Sequence, residues 1–222
     1  MKSTWKYIDF FDLVSSQVEM TRLSYNTHSH QYAEDWEWNK EIMTVAKRDY
    51  INPFMDLVKK EGVALIVGCG TGRDLKLLKD NGYRCLGIDS SEGMLREAVE
   101  ARGIQGPVLC TDLESLKLAS NSFDGVLIDS ALEHIKKSDM KIIMEKLYEC
   151  LRKNGIVLIR FRIGDGRVFE VEDSIGTRFF TSYTKKESKK LVTLNGFQVV
   201  TEYVTDHLEN SRPGFHSYIL RK

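Results

Sequence analysis

Three glycines at alternate positions, Gly68, Gly70 and Gly72, follow the apolar run Val63 to Val67 and lead into a helical pattern that begins at Arg73. Few folds accept that junction. The run has the length and branching of a buried strand, and glycine permits the unusual φ values and close backbone approach that such a turn requires. The first N–H groups of the following helix lack intrahelical partners, so the junction offers donors to a polar or anionic ligand. The turn predicts a nucleotide-type site and leaves the ligand open.

From Val63 onward strand-like runs alternate with helical patterns. Strands are expected at Val63 to Val67, Tyr83 to Ile88, Pro107 to Cys110, Ser122 to Asp129, Ile156 to Ile163, Phe197 to Thr205 and Phe215 to Leu220. Between them fall helices at Arg73 to Asp80, Glu92 to Ala101, Asp139 to Leu151 and Lys185 to Leu194. The pairs Asn81-Gly82, Asn154-Gly155 and Asn195-Gly196 each stand between a helical pattern and a strand, which favours left-handed helix caps over hairpin turns. Pro213-Gly214 marks a turn before the last strand. This alternation predicts an α/β fold: a Rossmann-like, doubly wound, mainly parallel seven-stranded sheet with right-handed crossovers. No strand signal precedes Val63. An aromatic, polar segment runs to about Asn39, and a helical pattern follows from about Lys40 to Lys60, with Pro53 suited to a first turn. Residues 1–60 are therefore expected to form an N-terminal helical cap packed on a main domain of residues 61–222. Tyr25, Tyr32, Trp36 and Trp38 crowd around Thr27-His-Ser-His30, a composition that suits either a lid over a pocket mouth or a helix pair at the domain's edge.

Composition narrows the partners. Lysine plus arginine and aspartate plus glutamate balance at 32 each, so no global field favours polyanions and nucleic acid is expected to be an unlikely partner. Met1 to Lys6 form no apolar leader, and no run approaches the ~20 apolar residues of a membrane span; a cytoplasmic protein without membrane partners is expected. Cys69, Cys85, Cys110 and Cys150 form no Cys-x-x-Cys pair and are read as reduced and structural. His28-x-His30 lacks a complementary ligand cluster, so no metal is expected. Nothing in the pattern sets an oligomeric state.

In a doubly wound sheet the ligand lies at the carboxyl ends of the strands, where strand order reverses. Asp89 ends the second strand 19 residues after Gly70, near the spacing of an acid that accepts from ribose hydroxyls. Thr111-Asp112-Leu113 ends the third, where a carboxylate beside an apolar side chain can hold an adenine amino group. The fourth ends in Asp129-Ser-Ala-Leu-Glu-His134, polar groups on the same crevice. A nicotinamide fingerprint would need a small residue at position 73; Arg73 stands there, and the third glycine falls one position early.

Taken together, Val67-Gly-Cys-Gly-Thr-Gly72-Arg-Asp74, Gly87-Ile-Asp-Ser-Ser-Glu-Gly-Met-Leu95, Thr111-Asp112-Leu113, Phe123 to His134 and Leu151 to Leu158 resemble a class I S-adenosylmethionine-dependent methyltransferase across about residues 40–205. The resemblance implies an antiparallel last strand beside the sixth. It implies S-adenosylmethionine as cofactor, with Gly68, Cys69, Gly70 and Gly72 around its methionine, Arg73 on the carboxylate, Asp89 and Ser90 at the ribose, Met94 or its neighbour at the adenine and Asp112 and Leu113 at the adenine edge. Tyr32, Asp129 and Ser130 complete the implied cofactor set. Cys69 is read as a small buried residue without thiol chemistry.

Methyl transfer is a direct displacement, in which alignment and exclusion of water supply most of the advantage. If the acceptor is a hydroxyl or protonated amine, His134 is the candidate base. Arg160, Arg162 and Arg167 cluster where the fifth strand leaves the sheet, suited either to an anionic acceptor or to pairing with Glu170, Glu172 and Asp173; Arg162 and Trp36 are the candidate substrate contacts. Lys185, Lys186, Lys189 and Lys190 make one basic helical face, read as solvated. The expected function is methyl transfer to a small-molecule acceptor at oxygen or nitrogen. The alternatives are an RNA or protein methyltransferase and a non-catalytic, cofactor-binding partner subunit.

Overall fold

A computed structural model describes residues 10–205 and 214–222, so Met1 to Lys6 and Pro213 lie outside the described residues. The chain begins with helix α1 (Phe10–Thr27) and α2 (Ser29–Tyr32), which widens into a π-type turn over Ala33–Glu37. The Asn39 side chain caps α3 (Lys40–Ala46) by accepting the Glu41 N–H at 2.8 Å. That helix runs through a second wide turn into α4 (Asn52–Met55), with Pro53 in its first turn, where a missing N–H costs nothing. Then follow β1 (Val63–Val67), α5 (Arg73–Asp80), β2 (Arg84–Asp89), α6 (Glu92–Arg96), β3 (Val108–Cys110), β4 (Phe123–Ile128), α7 (Met140–Cys150) and β5 (Leu151–Arg162). The hairpin β6 (Val168–Asp173) and β7 (Gly176–Thr181), helix α8 (Lys185–Val192), β8 (Gln198–Thr205) and β9 (Phe215–Arg221) complete the chain.

The main sheet has the order β3-β2-β1-β4-β5-β9-β8, and β9 alone runs against the other six. Order reverses between β1 and β4, so the crevice for a ligand opens above Val67 and Ile128. Side chains on β1 alternate between two cores, as the two-residue period of a strand demands. Leu65 and Val67 join α7 and α8 through Met140, Ile143, Met144, Leu147 and Val192. Ala64 and Ile66 face the other way, onto Leu75 and Leu78 of α5 and onto Tyr50, Ile51, Phe54 and Val58. Full burial of a side chain such as Phe54 contributes about 1.5–3 kcal/mol.

Two expectations change. Asn154-Gly155 is not a helix cap: α7 passes directly into β5 at Leu151, and Asn154, at φ +65°, bends the strand so that its N–H donates to the Lys222 carbonyl at 3.0 Å. The β6–β7 hairpin is a structure that the sequence pattern did not announce. In β6 every second residue is exposed, Val168, Glu170 and Glu172, and the intervening ones are only partly covered. Helix α1 lies on the partner strand: the Ser24 hydroxyl donates to the Thr177 carbonyl at 2.7 Å, and the Phe179 N–H donates to the Thr21 hydroxyl at 2.9 Å. Hairpin and helix thus roof the carboxyl ends of β4 and β5. Among the described residues no helix is long and apolar enough to cross a membrane.

Candidate cofactor and acceptor site

The glycine turn is left-handed at each alternate position, with φ of +65° at Gly68, +52° at Gly70 and +89° at Gly72. Gly68 and Gly70 face the crevice. A Cβ at Gly70 would lie 2.9 Å from the Glu37 carboxylate, and one at Gly68 would lie 2.4 Å from Ala131 Cβ. Gly72 faces the other way, where a Cβ would come within 2.6 Å of Ile104 and 3.2 Å of Ala98. Cys69 is buried with its sulfur beneath Gly87, and burial pushes its thiol well up. Gly72 and Cys69, expected at the cofactor, are not in the lining of the cleft, and both support the turn from below. Gly72→Ala, strained in backbone and crowded by Ile104, is expected to lower stability by about 2–3 kcal/mol in urea unfolding; an unchanged midpoint would remove that packing role.

Asp89 closes β2 with both oxygens in use, Oδ2 accepting the Gly70 N–H at 2.9 Å and Oδ1 the Ser91 N–H at 2.8 Å. Burial raises its pKa in spite of these bonds. The same cleft, about 140 Å³, is lined by Gly68, Gly70, Asp89, Ser90 and Met94 on one side and by Asp112 and Leu113 at the far wall. Tyr32, Arg73, Asp129 and Ser130 close its other end. Residues expected at the cofactor from distant parts of the sequence are thus brought to one space. The missing side chains of Gly68 and Gly70 leave room above the turn, and Asp89 retains lone pairs for hydroxyl donors, so the cleft suits a nucleoside bearing a zwitterionic tail.

Arg73 is not a solvated residue. Its Nε donates to Asp74 at 2.8 Å and its Nη2 to Asp129 at 3.0 Å, while Arg160 bonds the other Asp129 oxygen and donates to the Thr205 hydroxyl at 2.8 Å. Glu37 carries no signal in the sequence, yet its buried carboxylate accepts the Thr71 N–H at 3.1 Å and the Thr71 hydroxyl, with Trp38 Nε1–H donating to that hydroxyl at 2.9 Å. Only burial, set by the tertiary position of the π-type turn, distinguishes it from the exposed Glu34 and Asp35 beside it.

A second, larger cavity of about 740 Å³ adjoins the cleft and shares Tyr25, Tyr32, Arg73, Asp129 and Ser130 with it. Trp36 and Arg162 both line it, as do Glu133, Arg160, Arg178 and Phe180. The arginines do not pair as expected. Arg160 takes Asp129, Arg167 takes Asp165, and Asp173 takes Arg178. Lys185 and Lys189 converge on Glu202, at 3.4 and 3.1 Å.

His134, the candidate base, lies in the wall of the cleft with both ring nitrogens engaged. Nδ1 is 2.7 Å from the Phe179 carbonyl, which can only accept, so Nδ1 carries the proton. Nε2 then accepts the Tyr25 hydroxyl at 2.9 Å. Burial pushes its pKa down to about 4, with Arg178 and Arg162 adding to the shift against the Phe179 bond. The neutral ring has no free lone pair and ties α1 to the hairpin. His28 Nδ1 meets the Ser24 carbonyl at 3.0 Å and His30 Nδ1 meets Glu97 at 3.2 Å, so the two rings do not converge.

Residues 65–159 match the family described as a methyltransferase domain. An 18S rRNA (guanine-N(7))-methyltransferase of Arabidopsis thaliana is 32% identical over 101 residues, 41% of this chain and 35% of that protein. A carboxy-S-adenosyl-L-methionine synthase of Campylobacter concisus is 30% identical over 48% of this chain and 47% of its own length. The chain thus spans less than half the length of these relatives. Among solved structures, a Burkholderia thailandensis 1,6-didemethyltoxoflavin-N1-methyltransferase with bound 1,6-didemethyltoxoflavin and S-adenosylhomocysteine superposes over 100% of this chain and 93% of its own, at TM-score 0.71 and 17% identity, a likeness of fold. The expectation that nucleic acid is an unlikely partner is corrected by the rRNA-modifying relatives, which recur in several organisms. Net charge averages over the whole surface, whereas contact with RNA needs only a local basic region. Residues 65–159 thus carry a methyltransferase domain, and the sheet order and glycine turn built around it are similar to those of the class I S-adenosylmethionine-dependent methyltransferases.

Proposed function

We propose that this chain transfers a methyl group from S-adenosylmethionine to a small-molecule acceptor seated in the second cavity. The observation that carries this is the continuity of the two spaces through Tyr25, Tyr32, Arg73, Asp129 and Ser130. Bound S-adenosylmethionine supplies an electrophilic methyl group on a sulfonium. Asp89 accepts from the ribose hydroxyls with the lone pairs left by Gly70 and Ser91, while Met94 and Leu113 flank the adenine and Asp112 accepts from its amino group. Gly68 and Gly70 admit the methionine moiety, with Glu37 placed for its ammonium and Arg73 for its carboxylate. Residues from Phe10 to about 60 act with the β6–β7 hairpin as a cap that excludes water and aligns the acceptor. His134 and Tyr25 hold that cap in place.

A second reading, methyl transfer to an RNA base, is favoured by the similarity to the 18S rRNA methyltransferases. Purified protein incubated with methyl-labelled S-adenosylmethionine and a protein-free cell extract separates the two. Label is expected in a new low-molecular-weight product that separates from S-adenosylmethionine by chromatography. Label retained with RNA and released by ribonuclease would sink the small-molecule acceptor and support the second reading.

A further inference from the structure

Four guanidinium groups line the acceptor cavity, and three of them hold a hydrogen-bonded carboxylate, although the Nε of Arg160 and of Arg178 is without a partner among the described residues. Arg73 is bonded to Asp74 and Asp129, Arg160 to Asp129 and Thr205, and Arg178 to Asp173. Arg162, the last residue of β5, is the exception. It is 9% exposed, yet among the described residues its guanidinium makes no hydrogen bond. Its nearest carboxylate, Glu133 Oε1, stands 3.6 Å from Nη1, beyond hydrogen-bond reach, and Glu133 Oε2 is itself buried without a partner. Phe180 and Phe169 from the hairpin pack on the guanidinium at 4.8 and 5.5 Å, which fixes its plane while leaving its N–H groups unmatched.

A buried cation with open donors is costly unless something fills them. An oxyanion with two coplanar oxygens matches a guanidinium fork, and arginine is the side chain suited to that geometry. We propose that Arg162 is the anchor for an anionic acceptor, a carboxylate or phosphate ester carried on a flat apolar body that packs among Tyr32, Trp36 and Tyr50. The anion replaces Glu133 as the close partner of Arg162, and Glu133 turns its free oxygen to a donor on the same ligand. The proposal rests on methyl transfer in this cavity and names the acceptor's chemical class.

The test uses the full chain saturated with S-adenosylhomocysteine, titrated calorimetrically with benzoate, phenyl phosphate and the neutral isostere benzamide. Benzoate or phenyl phosphate is expected to bind and benzamide to bind roughly tenfold more weakly or not at all, and the tighter of the two anions identifies the anchored group. Arg162→Lys keeps the charge but loses the fork, and is expected to weaken the anion by roughly tenfold with S-adenosylhomocysteine affinity unchanged. Glu133→Gln removes the competing carboxylate and is expected to leave anion affinity equal or tighter. Anions binding no better than benzamide, equal affinity in wild type and Arg162→Lys, or a loss in Glu133→Gln as large as in Arg162→Lys would each overturn the anchor. Failure of S-adenosylhomocysteine to bind the wild-type chain would instead overturn the methyl-transfer reading beneath it.

Discussion

Asp89→Ala is expected to weaken S-adenosylhomocysteine binding by about 100-fold, with the sheet intact by far-ultraviolet circular dichroism. Hydrogen bonds to a charged group contribute roughly 1.5–3 kcal/mol each, and a tenfold change in affinity corresponds to about 1.4 kcal/mol, so loss of one to two ribose contacts gives that range. Preorganisation adds to it. Asp89 Oδ2 holds the Gly70 N–H and Oδ1 holds the Ser91 N–H, so the side chain also fixes the turn that admits the ligand. Asparagine is a poor rescue for the same reason: whichever way its amide turns, its NH2 faces a backbone N–H, donor against donor. Burial raises the Asp89 pKa, and hydroxyl donors favour the ionised carboxylate. Affinity is therefore expected to fall with acidification at higher pH than for an ordinary aspartate near 3.9. Isothermal titration of wild type and variant across pH decides it. Equal affinity at neutral pH would displace Asp89 from the ribose.

The cleft that gathers the residues expected at the cofactor was legible because its signals are local. Gly68, Gly70 and Asp89 sit at strand ends that the apolar runs already located, and a strand end in a doubly wound sheet points at the crevice. What such spacing does not give is the facing of a residue inside a tight turn. Gly72 belongs to the same alternation as Gly68 and Gly70, yet it packs against Ile104 and Ala98 because the helix begins there and its under-surface must meet the π-type turn that follows α6 and the loop beyond. The acceptor half is tertiary. Tyr25, Glu133 and Arg178 come from a helix, a single 3-10 turn and a hairpin strand, joined only when α1 lies along β7. His134 shows what residue type leaves out. A histidine past the fourth strand suits a base, but one carbonyl and one hydroxyl occupy its ring, and neither partner is near it in sequence. The hairpin escaped for a similar reason: its alternation is complete only against α1, which covers it from a segment about 150 residues earlier, with Ser24 and Thr177 in contact.

Asp129→Asn is expected to destabilise the fold by about 3–5 kcal/mol at neutral pH, the usual cost of leaving buried charge uncompensated. Asp129 is the single carboxylate that Arg73 and Arg160 share, one on each oxygen, and all three side chains are nearly inaccessible. Arg73 keeps Asp74, but among the described residues Arg160 keeps only the Thr205 hydroxyl and the faces of Tyr50 and Phe215, at 4.7 and 4.4 Å. Asparagine preserves shape and removes charge, so packing loss does not obscure the result. The pH dependence fixes the cause. Burial alone would raise the Asp129 pKa, but Arg160 and Arg73 outweigh it and hold the carboxyl below the usual range. A group depressed in the folded state contributes its stability above the unfolded pKa, near 3.9, and loses it as pH falls through the folded value. The gap between wild type and variant in urea unfolding should therefore be constant from pH 6 to 8 and close below about pH 4. A gap that persists in acid would assign the loss to hydrogen-bond geometry, and no gap at neutral pH would mean that solvent already neutralises Arg160. Asp129 also lines both the cleft and the acceptor cavity, so its variant should lose fold and S-adenosylhomocysteine affinity together. Asp89→Ala loses affinity alone, and that contrast separates the carboxylate that recognises the ligand from the one that holds the arginines behind it.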